Sequence, residues 1–202
     1  MQILLFATEK GGSGKTTLAR NIAVAAAQDS RRPVLLDYDP QQSLRYWWDG
    51  READSPALIA DPPSFTTLTR TLSGLADFDL AVIDTAPASI TSIAALVSAA
   101  TLTLVPVTPS PDDLRTVGNT VAGLNRRSAP FAFVLNRCPR GRATDEARTV
   151  LAGLGRVAPV NIAARVVHLE AAGTGQGVTE LADQKAADEI NQLWTYTKGL
   201  LT

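Results

Sequence analysis

Eight consecutive residues, Lys10-Gly11-Gly12-Ser13-Gly14-Lys15-Thr16-Thr17, combine two cations, three glycines and three hydroxyls. They follow the apolar run Ile3–Ala7. They open a helical pattern that puts Leu18, Ile22, Ala25 and Ala26 on one face. Strand, glycine loop, helix is the context of a phosphate-binding loop; a flexible Gly/Ser linker would not be flanked this way. The glycines let backbone N–H groups converge on an anion without interference from a Cβ. The helix N-terminus adds its free donors and the positive end of its dipole. Lys15 supplies a mobile cation for β- and γ-phosphates, and the Thr16 hydroxyl suits Mg²⁺.

Carboxylates recur where such a loop would need them. Leu36-Asp37-Tyr38-Asp39-Pro40-Gln41 closes a second apolar run, and proline halts it. Leu80-Ala81-Val82-Ile83 runs into Asp84, then Thr85-Ala86-Pro87. Phosphoryl transfer uses carboxylates to hold Mg²⁺ and to orient the attacking water. Taken singly, the first segment reads equally as a surface turn and the second as a strand that ends in aspartate. Beside the glycine loop both read as site residues.

The loop departs from G-x-x-x-x-G-K-[ST], which would require glycine where Glu9 stands. Lysine directly ahead of the glycine pair instead resembles the deviant Walker A motif, K-G-G-x-G-K-[ST], of the ParA/MinD family of ATPases. The D-x-D-P-Q run is similar to that family's switch I, and Thr85-Ala86-Pro87 to its switch II. The resemblance implies a nucleotide-binding set of Lys10, Gly11, Gly12, Ser13, Gly14, Lys15, Thr16 and Thr17. It implies Asn136 against the adenine edge, with Arg137 beside it. Thr16, Asp37 and Asp84 would lie on the Mg²⁺ side, and Asp39 would position or activate the hydrolytic water. Lys10 is too early in the chain to make the contacts of Lys15. By resemblance it reaches across a dimer interface to the partner's phosphates, placing charge as an arginine finger does. Lys10, Lys15 and Asp39 would then be the catalytic set.

Short length and the segment Val105–Pro111 look most like the small ParF-type plasmid partition ATPases. That resemblance implies ATP and Mg²⁺ as cofactors and a homodimer formed on ATP binding. It implies non-specific DNA and a cargo-bound adaptor of ParB/ParG type as partners, a cytoplasmic, nucleoid-associated place, and no membrane. Two relatives of the same superfamily stay open: a MinD-like membrane-cycling ATPase and a metabolic amidoligase. An iron–sulfur carrier would need several cysteines, and the sequence has one, Cys138.

Composition sets the bounds. The chain has 202 residues, 45% hydrophobic and 19% charged, with net charge −1. It is read as a single folded domain, residues 1–202, with no global field that draws it to nucleic acid or anionic lipid. Any such surface must be local. Between Arg126 and Arg165 stand eight arginines against Asp145 and Glu146. From these, Arg137, Arg140, Arg142, Arg148, Arg156 and Arg165 are the expected phosphate-backbone footprint. Trp47 and Trp48 are read as packing at a dimer or partner surface, and His168 as packing locally. The terminal segment with Leu181, Ile190, Leu193, Trp194, Leu200 and Leu201 is read as core, because Lys185 and Lys198 are too few for a membrane-surface helix.

The elements that must hold these groups follow from periodicity. The runs Ile3–Ala7, Val34–Leu36, Leu80–Ile83, Leu102–Val107 and Phe131–Leu135 are continuously apolar, as in strands buried on both faces. Helical segments are expected at 16–28, 41–49, 64–76, 89–99, 111–127, 143–154 and about 179–198. Ser110-Pro111-Asp112-Asp113 is a helix opening, and Gly173–Gly177 a flexible turn before the last helix. Alternation of strand and helix predicts an α/β fold, a doubly wound, mostly parallel β-sheet flanked by helices, and the ParA/MinD resemblance implies that it is a P-loop NTPase (deviant Walker) fold.

Overall fold

In the computed structural model, which describes residues 1–201, seven parallel strands form one sheet. They are β1 (Gln2–Phe6), β2 (Pro33–Tyr38), β3 (Ala57–Ile59), β4 (Leu80–Thr85), β5 (Leu102–Val107), β6 (Phe131–Cys138) and β7 (Val157–Ala163). Their spatial order is β3-β2-β4-β1-β5-β6-β7. The helices are α1 (Lys15–Gln28), α2 (Ser43–Asp49), α3 (Leu68–Ser73), α4 (Ala94–Ala99), α5 (Pro111–Asn125), α6 (Arg142–Ala152), α7 (Val167–Gly173) and α8 (Gln184–Leu200).

Alternate residues of each central strand enter opposite cores. Leu4, Phe6, Val82 and Leu104 pack with Leu18 and Ile22 of α1 and with Ile190 and Leu193 of α8. Ile3, Leu5, Ile83 and Val105 pack with Leu72, Leu96, Val121 and Leu151 of α3 to α6. Both faces are covered, which is why these strands read as unbroken apolar runs. The sheet is therefore doubly wound. β1 lies between β4 and β5; the crossover from β1 to β2 runs over one face through α1, and that from β5 to β6 over the other through α5. The crevice at the carboxyl ends of β1 and β5 is the place where such sheets bind ligands.

The edges differ from the expectation. β3 and β7 lie outside the five apolar runs. β3 has three residues, and β7 alternates buried with exposed positions. Pro159 interrupts the apolar character of β7, a residue that edge strands tolerate. Helix α7 was also not foreseen. The glycine turn is followed by a single 3₁₀ turn, Val178–Glu180, and α8 starts only at Gln184, where Asp183 accepts the N–H of Ala186. The apolar side of α8 packs as expected, with Ile190, Leu193 and Leu201 buried. Among the described residues no helix is long and apolar enough to cross a membrane. Trp47 corrects the reading of an interface pair, whereas Trp48 stays half-buried. Trp47 is buried in the core and donates to the Gln176 carbonyl, and Trp48 donates to that of Pro56.

Gly123 sits inside α5, where a Cβ would stand within 3.2 Å of three side-chain atoms of Ile90. Ile90 belongs to the segment that follows Pro87. Gly→Ala within a helix ordinarily gains about 1 kcal/mol; overpacking a filled site costs about 1–3 kcal/mol. The close approach decides the sign. Gly123→Ala is expected to lower stability by about 1–2 kcal/mol in urea unfolding. An increase would mean that Ile90 moves aside freely.

Candidate functional site

The glycine loop is shaped by its backbone and pinned from a distance. Gly12 and Gly14 have φ of 76° and 89°, values that favour glycine. Asn136, at the carboxyl end of β6, is buried, and its Nδ2 donates to the Ser13 carbonyl at 2.7 Å. A Cβ on Gly14 would collide with that amide. Gly11 lies against Pro87, so the segment after β4 borders the loop as expected. Lys15 begins α1, is buried, and its Nζ donates to the Lys10 carbonyl at 3.4 Å. Burial lowers its ammonium pKa, against the opposing pull of Asp84 and Asp39.

The carboxylates converge at the same edge. Asp37 and Asp84 are direct neighbours in the register of β2 and β4. Asp84 is fully buried and accepts the Thr16 hydroxyl at 2.5 Å. Burial pushes its carboxyl up to about 7; the Thr16 hydrogen bond opposes this and the charge of Asp37 adds to it. Asp37 is also raised by burial. Its Oδ1 accepts the N–H of Asp39, and its Oδ2 those of Leu44 and Arg45, so it caps α2 as well as facing the site. Asp39 is half-buried and accepts the N–H of Gln41 at 2.9 Å.

These groups fit a magnesium nucleotide. The Ser13 hydroxyl is buried inside the loop and has no hydrogen-bond partner among the described residues. A hydroxyl and two adjacent carboxylates form an all-oxygen donor set, the kind that Mg²⁺ selects. A cleft of about 320 Å³ opens beside Thr17, lined by Asn136, Arg137, Val166, His168 and Leu169. Its walls are largely apolar, as a purine face requires.

With this geometry in view, comparison with known proteins is decisive. Residues 4–172 match the CobQ/CobB/MinD/ParA nucleotide binding domain. The chain belongs to that family. Over 205 residues, 94% of this chain and 93% of the relative, it is 34% identical to the maintenance of carboxysome distribution protein A of Halothiobacillus neapolitanus. An ATP complex of a Cyanothece McdA variant superposes with TM-score 0.79 at 19% identity, covering 98% of this chain and 96% of that one. MinD of Aquifex aeolicus does so with TM-score 0.81 at 17% identity, covering 98% and 97%. Those two likenesses speak for the fold.

Within this ParA/MinD-type frame the expected arginine footprint divides. Arg137, Arg140 and Arg142 are exposed near the nucleotide edge, and Arg137 has a φ of 53°. Arg148 is spent internally on the Ala158 carbonyl at 2.8 Å and on Asn161 at 2.5 Å. Arg165 pairs with Glu189 at 2.6 Å. Arg156 precedes β7 and so lies at the opposite end of the sheet. One six-arginine surface is therefore not formed. His168 packs locally, as expected, its neighbour Arg20 donating to its carbonyl at 2.8 Å. Asp113, read above only as part of a helix opening, is a further member of the site. It is buried and paired with Lys10; the Ser-Pro-x-Asp spacing marks its place in the cap but not that partner.

Asp84 makes the nucleotide-free fold pH-dependent. Its folded pKa is raised, so the folded state holds a proton that the unfolded chain releases near pH 4. That stabilising proton is lost as pH rises toward 7. Without metal or nucleotide, Asp84→Asn should match the parent in Tm at about pH 4. It should gain steadily on the parent up to about pH 7. A Tm difference flat with pH would contradict a raised carboxyl.

Proposed function

We propose that this chain is a Mg²⁺-dependent ATPase that dimerises around ATP and positions a cargo over DNA. The observation that carries the reading is the register of Asp37 with Asp84 beside the Thr16 hydroxyl and the Lys15 ammonium. The loop N–H groups and Lys15 would hold the β- and γ-phosphates, and Thr16, Asp84 and Asp37 would hold Mg²⁺. Mg²⁺, when bound, neutralises charge that develops on the transferring phosphoryl group. Asp39 orients the attacking water, and its tether to Gln41 fixes where its carboxylate points. Asn136 and Arg137 border the cleft that would take adenine. Lys10 completes the phosphate site of a second subunit, so that hydrolysis and assembly are linked.

A positioning role is supported by likeness along nearly the whole chain to a protein named for carboxysome distribution. The cargo is then a protein assembly or a plasmid, presented by an adaptor. Arg137, Arg140 and Arg142 provide the exposed cations for a DNA track in the nucleoid. Burial of Leu193, Trp194 and Leu201 against α1 and the sheet leaves the apolar side of α8 with little to offer a membrane.

Two experiments test this. Lys15→Ala should abolish ATP binding in calorimetry. Asp39→Ala should still bind ATP while phosphate release falls by roughly 100-fold or more. Parent-like turnover in Asp39→Ala removes it from the water site. For the track, the triple change of Arg137, Arg140 and Arg142 to Ala should weaken ATP-dependent retention on non-specific DNA. It should also flatten the log–log salt slope by about 0.9 per lost phosphate contact. Arg156→Ala should leave the slope in place. Equal effects from both would show that retention follows net charge alone.

A further inference from the structure

Lys10 does not project freely from its loop. Its Nζ is paired with Oδ1 of Asp113, whose side chain is 5% exposed, against 37% for the lysine. The pair bridges the crevice: Lys10 follows β1, Asp113 follows β5, and those strands are neighbours. Asp113 lies in the first turn of α5, behind a cap in which Ser110 Oγ accepts its N–H. Its carboxylate also accepts from Ser110 Oγ at 3.0 Å, from Thr108 Oγ1 at 2.6 Å and from the Thr108 N–H at 3.0 Å. Burial would raise this carboxyl; the hydrogen bonds from Lys10, Thr108 and Ser110 outweigh it and hold it below the usual range.

The arrangement is asymmetric in a useful way. Removing one partner of a buried pair ordinarily strands the other charge. Here three donors and the positive end of α5 remain with Asp113 when Lys10 leaves. Lys10 itself is already one-third exposed. The contact is therefore firm enough to fix the amine and easy to open for an anion of higher charge.

We infer that Asp113 is an internal stand-in for a phosphate, holding Lys10 against its own subunit until the triphosphate of a second copy displaces it. The inference rests on the proposed trans role of Lys10. Asp113 is then a positioning residue, acting through Lys10, that sets how much ATP dimerisation requires. Loss of the γ-phosphate lowers the competing charge, and the carboxylate recaptures the amine.

Light scattering of the full chain across ATP and ADP titrations tests this. Asp113→Asn should reach half-maximal dimer at roughly three- to fivefold less ATP, the range expected for a part-exposed ion pair. Lys10→Ala should stay monomeric with ATP. If Lys10→Ala is monomeric while Asp113→Asn needs as much ATP as the parent or more, the restraint is overturned and the trans role stands. If Lys10→Ala dimerises normally, the trans role falls and the restraint with it. Amine labelling of the parent chain gives a readout independent of how Asp113→Asn folds. Without nucleotide, Lys10 should react more slowly than the exposed Lys185; equal rates overturn the restraint.

Discussion

The hydrogen bond from Asn136 to the Ser13 carbonyl is the constraint on which the rest of the site depends. A phosphate loop must turn its N–H groups inward, so its carbonyls must point elsewhere and find donors. β6 supplies one from two strands away, and it arrives where Gly14 leaves no Cβ in the path. The loop is held from outside by this bond as well as from within by the Lys15 ammonium on the Lys10 carbonyl. The Ser13 hydroxyl is buried beside it, with no hydrogen-bond partner among the described residues. The same amide lines the adjoining cleft, so loop shape and the cleft wall share one residue.

Electrostatics at the loop are held in tension. Parallel register sets Asp37 beside Asp84, and burial drives both carboxyls toward the neutral form. Burial likewise lowers Lys15. Without a ligand, each group gives up favourable solvation for a place beside its neighbours. A bound cation and a polyphosphate would restore the balance, because each charged form then has a partner. Asp37 also reaches outward: its second oxygen accepts the N–H groups of Leu44 and Arg45 in the first turn of α2.

Much of this was legible in the residue order, and the gaps have physical reasons. Central strands buried on both faces produce unbroken apolar runs, and Ile3–Ala7, Leu80–Ile83 and Leu102–Val107 stood out on that account. β7 is half-buried and carries Pro159 and Asn161, so neither an apolar run nor clean alternation marks it. β3 is too short to show a period. The motif residues were legible because their chemistry is local: glycines at positive φ, a hydroxyl after lysine, aspartates where strands stop. Partnerships between distant residues were not. Nothing near Asn136 announces Ser13, and nothing near Lys10 announces Asp113. Arg148 and Arg165 look like surface charge in sequence, yet each meets its acceptors only once β7 and α8 are in place.

That last point changes what the arginine excess between 126 and 165 means. Counted along the chain it suggests one basic face on a protein of net charge −1. In space, parallel strands send Arg137, Arg140 and Arg142 to the carboxyl edge and Arg156 to the amino edge. The strand length between them, at ~3.3 Å per residue, exceeds a Debye length at physiological salt, so the two groups act as separate fields. Only the carboxyl-edge group shares a rim with the glycine loop. Under the proposed function, a polyanion drawn there would meet a surface whose charge a bound nucleotide changes. The group at the amino edge has no such link. Under the function proposed above, coupling between nucleotide state and a DNA track would follow from strand direction, which puts the glycine loop and the three exposed arginines at one end of the sheet.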